Sequence, residues 1–103
     1  MTAIEHEARG RELISRQALR EAIAELSEAL RLKPDSAHAY NARGYAYLRL
    51  RDYKLAVADF DQAIRLDPKY ANAYRNRGAG RRAMGDAAGA EADLLKERDL
   101  SRR

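Results

Sequence analysis

A chain of 103 residues with no cysteine, no tryptophan and one phenylalanine is at most one domain, and it excludes disulfides, thiolate metal sites and a cysteine nucleophile. Its apolar content of 46% comes largely from alanine and it has two prolines, which suits close-packed helices better than strands built from β-branched and aromatic residues. The formal charge of +4 gathers toward the C-terminus, where eight Lys and Arg face five Asp and Glu over residues 71–103, against six facing seven over residues 3–36.

The first helix is predicted over residues 3–16, opened by Thr2 with Glu5 three positions on, the pattern of a capping box. A second runs over 18–32, carries Glu21, Glu25 and Glu28 on what reads as a wet face, and stops before Pro34, since proline disfavours a helical residue ahead of it and cannot continue the hydrogen-bond ladder. Asp35 and Ser36 offer capping oxygens to a third helix over 37–50, where Tyr40, Gly44 and Tyr47 share one side at i, i+4 and i+7. Asp52 offers the same to a fourth over 53–66, whose Ala56, Phe60, Ala63 and Ile64 form an apolar stripe, with Asp59, Asp61, Gln62 and Arg65 mostly outside it. Pro68 closes that helix, a fifth is expected over 71–84, and Asp86 stands ahead of a sixth over 87–100. Gly44, Gly78, Ala56 and Ala90 are small where a neighbouring helix has to approach closely.

These elements repeat. Ala39-Tyr40-Asn41-Ala42-Arg43-Gly44 recurs as Ala73-Tyr74-Arg75-Asn76-Arg77-Gly78, with Glu5-His6-Glu7-Ala8-Arg9-Gly10 as an earlier echo, always 34 residues apart. Ala22, Ala56 and Ala90 keep the register, as do Leu26, Phe60 and Leu94, and Pro34 and Pro68. Three units follow, at residues 3–36, 37–70 and 71–103. The period and the succession Tyr40, Gly44, Tyr47, Ala56, Phe60 and Pro68 resemble the tetratricopeptide repeat. The resemblance covers essentially the whole chain, is nearly complete in the middle unit, looser in the first and eroded in the third. It implies an all-α fold, a right-handed superhelical stack of three antiparallel helix pairs. In the third unit Gly80 and Gly89 fall inside helices, Arg81 stands where Leu13 and Tyr47 do, and Glu97 where Ala29 and Ala63 do. That unit reads as an end cap whose Leu94, Leu95 and Leu100 are partly exposed, since the extra solvating helix of many such arrays is absent.

The resemblance also implies a function: a scaffold or adaptor that holds an extended segment of another protein in its concave groove. The first helix of each unit would line that groove. Its binding residues are expected to be Arg11 in the first unit, His38, Asn41, Tyr45 and Arg49 in the second, and Asn72, Arg75, Asn76 and Arg82 in the third. Asparagine amides suit an extended backbone and arginines suit carboxylates, so the expected partner is a protein or peptide of acidic character. In family members that hold heat-shock chaperone tails, a clamp of Lys, Asn, Asn, Lys and Arg grips the terminal carboxylate. The corresponding places here hold Glu7, Arg11, Ala42, Asn72 and Asn76, so chaperone-tail binding is not assigned.

No enzyme is expected. His6 and His38 occupy unlike repeat positions and make no metal pair, His6 being placed where Tyr40 and Tyr74 stand, and no serine sits in a nucleophile motif. No catalytic residue, metal or cofactor is assigned. Two alternatives remain, a homo-oligomer assembled through the end helices and, less favoured, a basic nucleic-acid-binding surface around Arg75, Arg77, Arg81 and Arg82. With no run near the roughly 20 apolar residues of a membrane span and no export signal in residues 1–7, the chain reads as soluble and cytoplasmic.

Overall fold

A computed structural model describes residues 1–102 and contains six helices: α1 Ala3–Ser15, α2 Leu19–Leu32, α3 Ala37–Arg49, α4 Tyr53–Leu66, α5 Ala71–Ala83 and α6 Ala87–Ser101. No strand occurs among the described residues. Each odd helix packs on the next even one, and the pairs stack through α2 on α3 and α4 on α5. α1, α3 and α5 also touch in turn, so the three first helices form one wall. Among the described residues no helix is long and apolar enough to cross a membrane.

The first helix of each pair ends one residue earlier than its pattern suggests, and for one reason in all three. Gln17, Arg51 and Gly85 adopt positive φ values of 64°, 64° and 87°. Their own N–H groups donate to Ile14, Leu48 and Arg82, and the next residues, Ala18, Asp52 and Asp86, donate to Leu13, Tyr47 and Arg81. This pair of bonds is the Schellman closure, which satisfies two orphan carbonyls and requires a left-handed residue. Helix starts follow the expected chemistry at three sites: the Thr2–Glu5 capping box is complete, Ser36 accepts from Ala39 N–H at 3.1 Å and Asp86 accepts from Gly89 N–H at 2.9 Å. Asp52 makes no side-chain cap bond. It lies instead in a small cleft with Arg20 and Tyr47.

Each of the first two helix pairs closes on a glycine. A Cβ on Gly44 would stand 2.7 Å from the Phe60 ring, and one on Gly10 would stand 2.6 Å from Leu26. Phe60 and Leu26 are the largest fully buried side chains, and Ala22, Ala39, Ala46, Ala56, Ala63, Ala73 and Ala90 are fully buried with them. Bare alanine and glycine contacts let the helices come close enough for two large residues to fill the centre.

The carboxylates at the core edge differ from the sequence expectation. Asp59, read as lying mostly outside the apolar stripe, and its repeat counterpart Asp93 are 5% and 2% exposed. Arg43 grips both oxygens of Asp59 at 2.9 and 2.8 Å, and Arg77 grips Asp93 at 3.0 and 2.8 Å. The third guanidinium nitrogen reaches back one pair, from Arg43 to Ser27 at 3.2 Å and from Arg77 to Asp61 at 2.9 Å. In the first unit the place of the aspartate is taken by Glu25, which is not a solvated residue but bonds His6 at 2.7 Å and stands 3.5 Å from Arg9. His6 thus stands at the repeat position of Tyr40 and Tyr74 and is also a polar partner for Glu25. A stripe reading misses these groups because it scores charge as exposure, whereas paired charges are tolerated inside. Burial pushes the Asp59 carboxyl above the ordinary aspartate range, opposed by Arg43, while Arg43 itself is raised by the same hydrogen bonds.

Candidate peptide-binding groove

The wall made by α1, α3 and α5 encloses a cleft of about 360 Å3 lined by Arg11 and Ile14 of α1, His38, Asn41, Ala42 and Tyr45 of α3, and Asn72, Arg75 and Asn76 of α5, with Tyr70 ahead of α5. Seven of the nine residues expected to line the groove come together here: Arg11, His38, Asn41, Tyr45, Asn72, Arg75 and Asn76. The other two do not. Arg49 donates to Gln17 Oε1 at 2.7 Å and to the Tyr45 hydroxyl at 3.4 Å, which ties it across the joint between the first two units. Arg82 lines a separate cleft with Arg75, Gly78, Ala79, Ala83 and Leu94.

Tyr70, absent from the sequence expectation, organises the cleft. Its hydroxyl accepts from Asn41 Nδ2 at 3.2 Å and lies 3.0 Å from His38 Nδ1. The two rings lie 4.9 Å apart at an interplanar angle of 60°. Asn41 in turn accepts from Asn76 Nδ2 at 3.1 Å. Asn41 is 8% exposed, so its amide chiefly holds α3 to α5, while Asn76 and Asn72 are more open. The signal for Tyr70 is positional: it stands one period after Ser36, whose hydroxyl donates at 2.9 Å to Oε1 of Glu7, itself one period before Asn41. Both joints are fastened by a residue just ahead of the incoming helix bonding the groove face of the previous one. Burial pushes the Tyr70 hydroxyl above the ordinary tyrosine range, and the Asn41 bond opposes that shift.

The charge of the cleft is cationic. Arg75 donates to Asn72 Oδ1 at 2.9 Å and has no carboxylate partner among the described residues, and the Arg11 side chain, on α1, has neither a hydrogen bond nor an ion pair among them. Arg77 and Arg81, counted with Arg75 and Arg82 in the basic cluster of α5, are turned away from the cleft and bound to Asp93, at 2.8 and 3.1 Å. No group of three or more potential metal ligands occurs among the described residues.

Residues 10–50 match the family model described as TPR repeat, and residues 37–70 match that described as tetratricopeptide repeat. No curated protein sequence matches the chain. Among solved structures, the second TPR of Spaghetti (RPAP3) bound to the HSP90 peptide SRMEEVD is 28% identical with a TM-score of 0.94, over 97% of this chain and 93% of that one. The second TPR domain of human RPAP3, in complex with the HSP70 peptide SGPTIEEVD, is 28% identical with a TM-score of 0.91, over 95% and 82%. The TPR domain of Arabidopsis OM64 is 25% identical with a TM-score of 0.95, over 96% and 82%. Two overlapping family models, a third helix pair built to the same register and a fold shared over nearly its whole length establish that the chain belongs to the tetratricopeptide repeat family.

Proposed function

We propose that this chain is a protein-interaction module that holds an extended acidic peptide segment across the cleft of α1, α3 and α5, with Arg11 and Arg75 meeting its carboxylates and Asn72 and Asn76 its backbone. The observation that carries the reading is the cleft itself. Two arginines without carboxylate partners among the described residues line it above a floor of amides and a tyrosine, prearranged by the Tyr70 network. Two of the similar domains hold peptides ending in Glu-Glu-Val-Asp, which supports a peptide of that charge. The mode of recognition differs, because Glu7, Ala42 and Asn72 stand where a terminal-carboxylate clamp has Lys, Asn and Lys. The ligand is therefore read by its acidic side chains instead of by its chain end.

Fluorescence anisotropy with labelled SRMEEVD and its C-terminal amide tests this. Both peptides are expected to bind with affinities within about threefold of each other, and Arg75→Ala with Asn76→Ala to weaken both by about tenfold or more, a loss of about 1.4 kcal/mol. Affinity unchanged by that double substitution would sink the site assignment, and binding of the free acid alone would sink the side-chain mode. Arg77 and Arg81 are held by carboxylates, and no observation favours a nucleic-acid surface over the groove.

A further inference from the structure

We infer that the acid this groove prefers is a phosphorylated serine or threonine of the partner segment, held at Arg75, so that the module reads the phosphorylation state of what it binds. The inference rests on the groove reading above and adds which acidic group the groove is built for.

The charge of α5 is the starting point. That helix contains four arginines and no acidic residue. Arg77 and Arg81 share the buried Asp93, whereas Arg75 and Arg82, seven positions apart and so on one face of the helix, have no carboxylate partner among the described residues. Arg75 belongs to two clefts, the groove that it shares with Arg11 and the neighbouring one that it shares with Arg82. A further guanidinium therefore stands on either side of it. The nearby carboxylates do not cancel this charge. Glu7 and Asp67 act on the Tyr70 hydroxyl, yet neither lines a cleft with Arg75. Glu7 is bonded by the Ser36 hydroxyl at 2.9 Å, and Asp67 accepts from the Lys69 N–H at 3.1 Å. An anion is thus repelled from the Tyr70 end of the groove and drawn to Arg75.

Hydrogen-bonding capacity at Arg75 separates a carboxylate from a phosphate. Its Nη2 donates to Asn72 Oδ1 at 2.9 Å, which steadies the guanidinium, leaves one edge of its fork complete and leaves the Asn72 amide N–H groups free to donate. Asn76 Nδ2 is engaged by Asn41 at 3.1 Å, so its carbonyl oxygen remains for an N–H of the peptide backbone. A carboxylate carries a single charge and is satisfied by one fork; with Arg11 and Arg82 flanking the same point, most donors and most of the positive charge would go unmatched. Two glutamates supply more charge only by ordering two side chains, each with its own entropic cost. A phosphate monoester brings a charge of about −1.5 to −2 and three acceptor oxygens on one side chain. Two of those oxygens fit the free edge of Arg75, and the third is left for Asn72 or Arg11.

The test is fluorescence anisotropy with three labelled peptides: SRMEEVD, the same peptide with phosphoserine in place of its first glutamate, and the same peptide with serine there. The phosphopeptide is expected to bind about tenfold more tightly than SRMEEVD, the worth of one further hydrogen bond to a charged group, and the serine peptide more weakly than either. Arg75→Lys keeps the charge and removes the fork, so it is expected to bring the phosphopeptide and SRMEEVD to within about threefold of each other. A general loss of order in the groove would weaken both peptides and leave their ratio alone. Equal binding of these two peptides to the wild-type chain, or a preference that survives Arg75→Lys, would overturn the inference while the groove reading stands. Displacement of the phosphopeptide by inorganic phosphate or by oligouridylate at equal concentration would also overturn it, since the phosphate would then be read without the peptide. Failure of all three peptides to bind the folded chain would overturn the inference and the groove reading together.

Discussion

Arg43 holds both carboxylate oxygens of Asp59 from the facing helix, at 2.9 and 2.8 Å, with the aspartate side chain 7% and the arginine side chain 22% exposed. Sixteen positions separate the two, as they do Arg77 and Asp93, and Arg9 and Glu25. The pairing is therefore part of the repeat unit. In the second and third units the arginine joins its own helix pair through the carboxylate and the previous pair through its third nitrogen. The Arg43 guanidinium also lies 5.7 Å from the Tyr40 ring and 6.0 Å from that of Tyr47, so the tyrosines of the repeat pattern flank a cation.

Removing one member of the pair leaves the other unpaired. Arg43→Met strands the more buried group and is expected to destabilise the chain by about 3 kcal/mol, with Asp59→Ala somewhat milder because Arg43 can turn toward water. The double substitution Arg43→Met with Asp59→Leu should recover most of the loss, since an apolar pair of similar volume removes both desolvation costs. Urea unfolding of the three variants measures this, and a double variant as unstable as the sum of the singles contradicts it.

The three left-handed closures differ only in side chain. No atom of a neighbouring element lies within 4 Å of the point a Cβ on Gly85 would occupy, so Gly85→Ala acts through the backbone alone and is expected to cost about 1 kcal/mol. Arg51→Gly is the reverse experiment. It relieves the strain of a non-glycine residue at φ 64° while adding unfolded-chain entropy, and is expected to leave stability within about 0.5 kcal/mol of wild type or raise it. Thermal unfolding that finds both substitutions equally harmful would contradict this account.

Much of this architecture is legible in the sequence. The period of 34 residues, Gly44 and Phe60, the prolines and the amphipathic faces locate six helices to within a residue or two. The closures at Gln17 and Arg51 are not legible, because left-handed geometry there is imposed by two backbone bonds and not by glycine. The buried carboxylates escape for a related reason. Asp59 and Glu25 look solvated on a helical wheel, and only the coincidence of Arg and acid at a fixed separation in all three units betrays the pairing. Of the groove, residues on α1, α3 and α5 that share one face are identifiable, while Tyr70 lies in the connection ahead of α5, where helical periodicity has nothing to say.

The approach of α3 to α4 has no slack. Gly44→Ala would bring a methyl group to 2.7 Å from the Phe60 ring and 3.1 Å from Asp59 Cβ. The ring is fully buried and cannot swing out, so overpacking, about 1 to 3 kcal/mol, outweighs the roughly 1 kcal/mol of helix propensity gained. A net loss is expected in urea unfolding, with Phe60→Leu in the same chain restoring part of it. A Gly44→Ala protein more stable than wild type contradicts the close approach.

Tyr70 offers a test that reads the groove and the fold together. Its hydroxyl is raised above the ordinary value of 10.0 chiefly by burial, so the folded chain holds that proton more tightly than the unfolded one. The associated stability is fully present below pH 10 and is lost as pH rises through the folded value. The tyrosinate absorbance that disappears in Tyr70→Phe should therefore titrate above pH 10 in the folded chain. The same substitution deprives Asn41 Nδ2 and His38 Nδ1 of their partner and is expected to cost about 1 kcal/mol of stability. Asn41 then loses one of the two bonds that fix it between α3 and α5, and the less ordered cleft should bind SRMEEVD several-fold more weakly although the tyrosine hydroxyl itself is not assigned to the peptide. Wild-type affinity in a folded Tyr70→Phe chain would mean that the His38, Tyr70, Asn41 and Asn76 network steadies the joint without arranging the groove.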